Sequence, residues 1–91
     1  MEVRWTEPAA DDLERIVQYI AKENPNAAER VARTLYERCM GLELFPYRGR
    51  KGRVEGTREL VVAAVRYVIV YRVNREAVEI LRIYHSAQSW P

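Results

Sequence analysis

The sequence predicts an α+β fold of order β-α-α-β-β-β, a helical hairpin packed on one face of a largely antiparallel four-stranded sheet. Three observations predict it. Two amphipathic helical patterns follow one another in the first half, with only Asn24-Pro25-Asn26 between them. Three β-rich runs then fill the second half, separated by connections short enough for antiparallel hairpins. The middle run, Tyr67-Val68-Ile69-Val70-Tyr71-Arg72-Val73, is apolar on both faces, which suits a central strand.

Residues 2–6 alternate, with Val3 and Trp5 on one face and Glu2 and Arg4 on the other, as in a short half-buried strand. Thr6 suits a helix N-cap, and Pro8 is tolerated in the first turn. Asp11 and Asp12 then stand near the positive end of the helix dipole. Leu13, Ile16, Val17 and Ile20 form the apolar stripe, and Asp12, Arg15, Gln18 and Lys22 fall elsewhere on the wheel. Asn24-Pro25-Asn26 breaks the helix. A second helix is predicted from about Ala27 to Leu44, with Ala28, Val31, Ala32, Leu35, Cys39 and Leu42 facing inward, and Pro46 ends it. Residues 46–56 read as a Gly-rich basic loop. Strands are expected over 57–63, 67–74 and 77–85. Nothing evident in the chain covers the second face of the sheet, so an apolar and basic surface is expected there, awaiting a partner.

The 91 residues make a single domain, 1–91. With 48% hydrophobic and 31% charged residues, the composition is that of a globular chain. Cys39 is the one cysteine, which excludes an internal disulfide and fits a reducing cytoplasm. No secretion signal is expected, because charged Glu2 and Arg4 flank Val3 and no apolar segment follows. No apolar run approaches the roughly 18 residues of a membrane span. The net charge of +2 conceals an asymmetry. Residues 1–45 carry 6 basic and 9 acidic side chains, and residues 46–91 carry 9 basic and 4 acidic ones. The basic half favours an acidic partner, either nucleic acid or a protein segment.

Several side chains are candidates for function. His85 is the one histidine; at a strand end it suits general acid/base work, since imidazole titrates near neutrality, or it is bonded to backbone. Arg58 suits a phosphate or carboxylate, or an ion pair with Glu59, Glu55 or a helix carboxylate. Arg48, Arg50, Lys51 and Arg53 either bind phosphates without reading sequence or solubilise the loop. Arg72 and Arg82 interrupt apolar strands. If both stand on the open face they make a basic, protein-binding spot ringed by Tyr71, Tyr84 and Leu81; otherwise their stems cover apolar surface. No metal-ligand spacing, phosphate loop or cofactor motif is present, so no metal or cofactor is expected.

An ordered set of segments runs from Ala9-Ala10-Asp11-Asp12-Leu13-Glu14-Arg15-Ile16 through Tyr19-Ile20, Asn24-Pro25 and Ala27-Ala28. It continues at Gly49-Arg50, Gly56-Thr57-Arg58-Glu59-Leu60, the run 67–73, Ile83-Tyr84-His85 and Trp90-Pro91. This set carries a resemblance to the toxins of the ParE/RelE superfamily, strongest in the later segments. The resemblance implies a RelE/ParE-like fold and the toxin half of a type II toxin–antitoxin pair, acting in the cytoplasm. Ribonuclease members carry an arginine where Val68 stands, lysines or an acid near Glu59 and Val61, and often an arginine where Gln88 stands. The departures place the chain nearer the ParE branch, whose members inhibit DNA gyrase by binding, need no catalytic residues, and are neutralised by a ParD-like antitoxin. On this reading Arg58, Arg82, His85 and Trp90 meet the target, while Arg58, Tyr71, Arg72, Leu81 and Arg82 meet the antitoxin in a hetero-oligomer. The alternative is a RelE-like, ribosome-dependent messenger-RNA endoribonuclease using His85, Arg58 and Arg82. A further alternative is a non-toxic module that only forms a repressor complex with an antitoxin.

Overall fold

The structure, a computed structural model, describes residues 1–88; Trp90, expected at the target surface, lies outside the described residues. The elements are β1 (Glu2–Trp5), α1 (Glu7–Ala21), α2 (Pro25–Gly41), β2 (Arg50–Lys51), β3 (Arg58–Val62), β4 (Tyr67–Val73) and β5 (Ala77–His85). They form one sheet of order β1-β5-β4-β3-β2, antiparallel except where β1 runs parallel to β5. The expected α+β fold holds, with the hairpin on one sheet face and β4 at the centre. The fifth strand, β2, is a two-residue pairing inside the basic loop, with Arg50 opposite Glu59.

The helix starts follow from their caps. Thr6 Oγ1 accepts from the Ala9 N–H at 3.3 Å and donates to the Ile80 carbonyl at 2.7 Å, so one hydroxyl caps α1 and ties it to β5. Asn24 Oδ1 accepts from the Ala27 N–H at 3.0 Å. The segment Asn24-Pro25-Asn26 separates the helices as expected, but α2 starts at Pro25 rather than at Ala27, since the missing N–H costs nothing in a first turn. The helix also ends earlier than expected, at Gly41, because the Leu42 N–H turns back to the Cys39 carbonyl in a tighter last turn. Among the described residues no helix is long and apolar enough to cross a membrane.

The main core lies between the hairpin and the sheet. Ala9, Leu35, Cys39 and Leu42 meet Leu60, Val62, Ile69, Tyr71, Val78, Ile80 and Ile83. The second face is not the open apolar surface the sequence suggests. Val68, Val70 and Tyr84 are buried there within the chain itself, with Leu81 packed beside them. The basic loop folds toward this face, and Glu59, only 1% exposed, accepts from Arg50 Nη2 and from the Arg53 N–H, both at 3.0 Å. Burial opposes ionisation of Glu59, but these hydrogen bonds and the two arginine charges outweigh it and hold the carboxyl below its usual range.

Candidate functional site

β5 carries one extra residue. Val70 is opposite Arg82 and Tyr71 is opposite Ile80, so Leu81 is a β-bulge. The bulge resets the alternation, leaving Ile80 and Ile83 both in the main core. Arg82, opposite Val70, leaves the second face, and its guanidinium reaches round the edge of β5 to α1. Arg72, two residues from Val70 on β4, shares that face as the sequence reading allowed, but the two arginines go to different carboxylates and form no joint basic spot. Arg72 remains exposed and gives Nε and Nη2 to Glu79 at 3.0 and 2.8 Å. Tyr71, expected at an antitoxin surface, is fully buried. Its hydroxyl donates to the Pro46 carbonyl at 2.7 Å and accepts from the Gly49 N–H at 2.9 Å. An even number of residues separates Tyr71 from Tyr67 and Ile69, so it shares their inward face.

Arg82 meets a carboxylate that the sequence reading placed off the apolar stripe. Asp12 is 5% exposed. It accepts from Arg82 Nε at 2.8 Å, Arg82 Nη2 at 3.0 Å, Arg15 Nη2 at 2.7 Å and the Ile83 N–H at 2.9 Å. Burial alone would raise its pKa; the bonds from Arg82 and Ile83, with the charges of Arg82 and Arg15, lower it. The same bond raises the pKa of Arg82. A signal for Asp12 was present in the sequence: Ala9, three residues before, and Ile16, four after, share its helix face, and both pack in the core.

Around this pair lies a cleft of about 750 Å³ between α1 and the ends of β4 and β5. Arg15, Tyr19, Tyr67, His85 and Gln88 line the rest of it. The His85 ring stands edge-on to Tyr67, with centroids 5.2 Å apart. Its Nδ1 accepts from the Ala87 N–H at 3.1 Å, and the backbone N–H of His85 donates to Gln88 Oε1 at 2.8 Å. Burial raises the pKa of Tyr67, with a smaller push from Tyr19, so the phenol stays neutral.

The structure thus unites Arg82 with His85 but not with Arg58. Arg58 pairs with Tyr71 and His85 with Tyr67, four residues away along β4, a separation of at least about 13 Å at ~3.3 Å per residue. Arg58 makes no ion pair with Glu59, Glu55 or any other acid among the described residues. It gives Nε and Nη2 to the Gly49 carbonyl at 3.1 and 2.7 Å and lies over the Tyr47 ring.

A second feature lies on the hairpin. An apolar groove of about 540 Å³ is lined by Trp5, Ala10, Leu13, Val17 and Tyr36, with Glu14 and Gln18 at its polar edge. Trp5 stacks on Tyr36 at 6.3 Å. The buried Trp5 Nε1–H has no acceptor among the described residues.

Comparison with known proteins agrees with this architecture. The family described as "ParE toxin of type II toxin-antitoxin system, parDE" matches residues 3–90. Y4kP of Sinorhizobium fredii, a candidate toxin, is 44% identical over 89 residues, covering 98% of this chain and 92% of that protein. Toxin RelE2 of Caulobacter vibrioides is 41% identical over 87 residues, covering 96% and 97%. Among solved structures, one from the chromosomal ParDE TA system of P. aeruginosa superposes with a TM-score of 0.85 at 27% identity, covering 93% of this chain and 95% of that one. One from the toxin–antitoxin complex RelBE2 of Mycobacterium tuberculosis superposes with a TM-score of 0.68 at 30% identity, covering 92% and 95%.

Proposed function

The chain belongs to the ParE toxin family of type II toxin–antitoxin systems, and from that premise we propose that it inhibits DNA gyrase by binding rather than cutting messenger RNA. The observation that carries this reading is the state of the cleft's cations. Cleavage by a 2′-hydroxyl needs a base, an acid, and a cation free to meet the charge developing on phosphorus. Arg82 already gives two hydrogen bonds to Asp12 and Arg15 gives a third, so both cations of the cleft are engaged by a carboxylate before any substrate arrives. Arg58 lies too far along the sheet to replace them. Val68, at the position where ribonuclease relatives carry arginine, is buried on the second face and faces away from the cleft. His85 is left beside two arginines that Asp12 already holds.

Binding asks less of the same residues. Tyr19 is widely exposed beside Tyr67, His85 and Gln88, and aromatic and polar groups around a shallow cleft suit a protein surface. We assign the groove on the hairpin to an antitoxin; an antitoxin as partner is supported by structural neighbours from a ParDE TA system and a toxin–antitoxin complex. An apolar helix laid between α1 and α2 would cover Val17 and Tyr36 and bring an acceptor to the Trp5 N–H, a buried donor that otherwise carries a desolvation cost.

Induction of the protein without antitoxin tests the reading. Growth arrest should come with double-strand breaks in the chromosome, while mapped transcripts keep their native ends. Arrest with transcripts newly cut inside codons and an unbroken chromosome would overturn it in favour of the ribonuclease.

A further inference from the structure

The segment that leaves α2 carries a run of exposed apolar side chains that neither the cleft nor the hairpin groove uses. Leu44 is 75% exposed, Phe45 57% and Tyr47 64%. With Pro46 and Arg48 they surround a hollow of about 440 Å³. The backbone beneath is held from inside the fold. The buried Tyr71 hydroxyl bridges Pro46 and Gly49, and Arg58 grips the Gly49 carbonyl. Gly49 is enclosed so closely that a Cβ there would stand 2.7 Å from the Tyr71 hydroxyl and 2.8 Å from the Glu59 carbonyl oxygen. The outward side chains therefore sit on a fixed base, and little loop ordering opposes binding.

Apart from exposed Glu43 beside Leu44, the charge at Phe45 and Tyr47 is positive. The Arg48 guanidinium lies 5.0 Å from the Phe45 ring centre and the Arg58 guanidinium 5.2 Å from that of Tyr47. Lys51 is opposite Arg58 in the sheet. Among the described residues Arg48, Lys51 and Arg58 form no ion pair, and the hydrogen bonds of Arg58 go to neutral carbonyls. The nearby carboxylate of Glu59 is buried and occupied by Arg50 and the Arg53 N–H. An apolar centre framed by uncompensated cations calls for an occupant that is apolar in the middle and acidic at its edges. A protein segment fits better than a single-stranded nucleic acid. Bases bind by stacking on open ring faces, whereas a guanidinium already covers one face of each ring here, and Leu44 and Pro46 offer aliphatic surface.

We propose that Leu44, Phe45 and Tyr47, framed by Arg48, Lys51 and Arg58, form a second docking site for a protein segment with an apolar anchor flanked by carboxylates. The site is separate from the cleft and does not depend on the gyrase reading. The test titrates the full chain into three fluorescein-labelled probes: a short peptide with a Leu-Phe anchor flanked by glutamates, the same anchor flanked by lysines, and a single-stranded oligonucleotide. The acidic peptide should bind most tightly and weaken as salt is raised. F45S/Y47S and K51E, each checked to keep the wild-type melting temperature, should each weaken it roughly tenfold. K51E serves as the second variant should the double substitution unfold. Tighter binding of the oligonucleotide would assign the patch to nucleic acid and overturn the proposal. Equal affinity for the two peptides, no binding of the acidic one, or binding indifferent to both variants would overturn it as well.

Discussion

Replacing Asp12 by alanine removes the one carboxylate that joins α1 to the bulge of β5. The largest part of the cost is the Ile83 N–H, a buried donor left without its acceptor, at about 1–3 kcal/mol. The arginines add less. The side chains of Arg82 and Arg15 are 42% and 65% exposed, so their heads can return to water, and the ion pairs contribute at most about 1 kcal/mol after screening. The expected loss is therefore about 1–4 kcal/mol, a fall in melting temperature of roughly 4–30 °C for a domain of this size. Urea denaturation followed by circular dichroism measures it, and a double-mutant cycle with Arg82→Gln isolates the pair. The pH dependence gives a second reading. The folded pKa of Asp12 lies below the ordinary carboxylate value, so its contribution is full above that value and is lost as pH falls through the lowered one. Asp12→Asn should flatten the acid limb of the stability curve, with the part due to Glu59 remaining. A loss below about 0.5 kcal/mol, or strict additivity with Arg82→Gln within about 0.3–0.5 kcal/mol, would refute the reasoning.

Three further outcomes are expected. Tyr71→Phe deletes the hydroxyl that bridges Pro46 and Gly49 and should cost about 1–3 kcal/mol in the same denaturation assay. Cys39 is buried in the main core and its thiol is pushed up to about 12, so iodoacetamide at neutral pH should leave the native protein unmodified and alkylate it once unfolded in urea. Val17→Glu puts a charge into the hairpin groove without touching the main core, so calorimetry should show cognate antitoxin binding weakened at least roughly tenfold while the melting temperature holds.

Much of the fold was legible because local chemistry and long-range packing agree. Thr6 caps α1 as read, and a run that is apolar on both faces, 67–73, occupies the sheet centre. Leu35, Cys39 and Leu42 face inward as their spacing requires. What could not be read depends on partners distant in sequence. β2 exists because Arg50 finds Glu59, and two residues carry no pattern of their own. The bulge at Leu81 follows from fitting β5 against β4 while Arg82 reaches α1, and a single inserted residue reverses every face assigned before it. Asp12 was read as a surface charge at a helix start because its partners, Arg82 and the Ile83 N–H, come from β5. The cleft was half legible: Arg82 and His85 were named, whereas Tyr19, Tyr67 and Asp12 come from α1 and β4 and meet them only once the hairpin folds onto the sheet.

The measurement that tests the central claim most directly is a supercoiling assay. Purified protein, stripped of antitoxin, is titrated into DNA gyrase with relaxed plasmid and ATP. The account predicts loss of supercoiling or accumulation of cleaved plasmid, with restoration when antitoxin is added. Gyrase that works unhindered beside toxin still able to bind its antitoxin would contradict it.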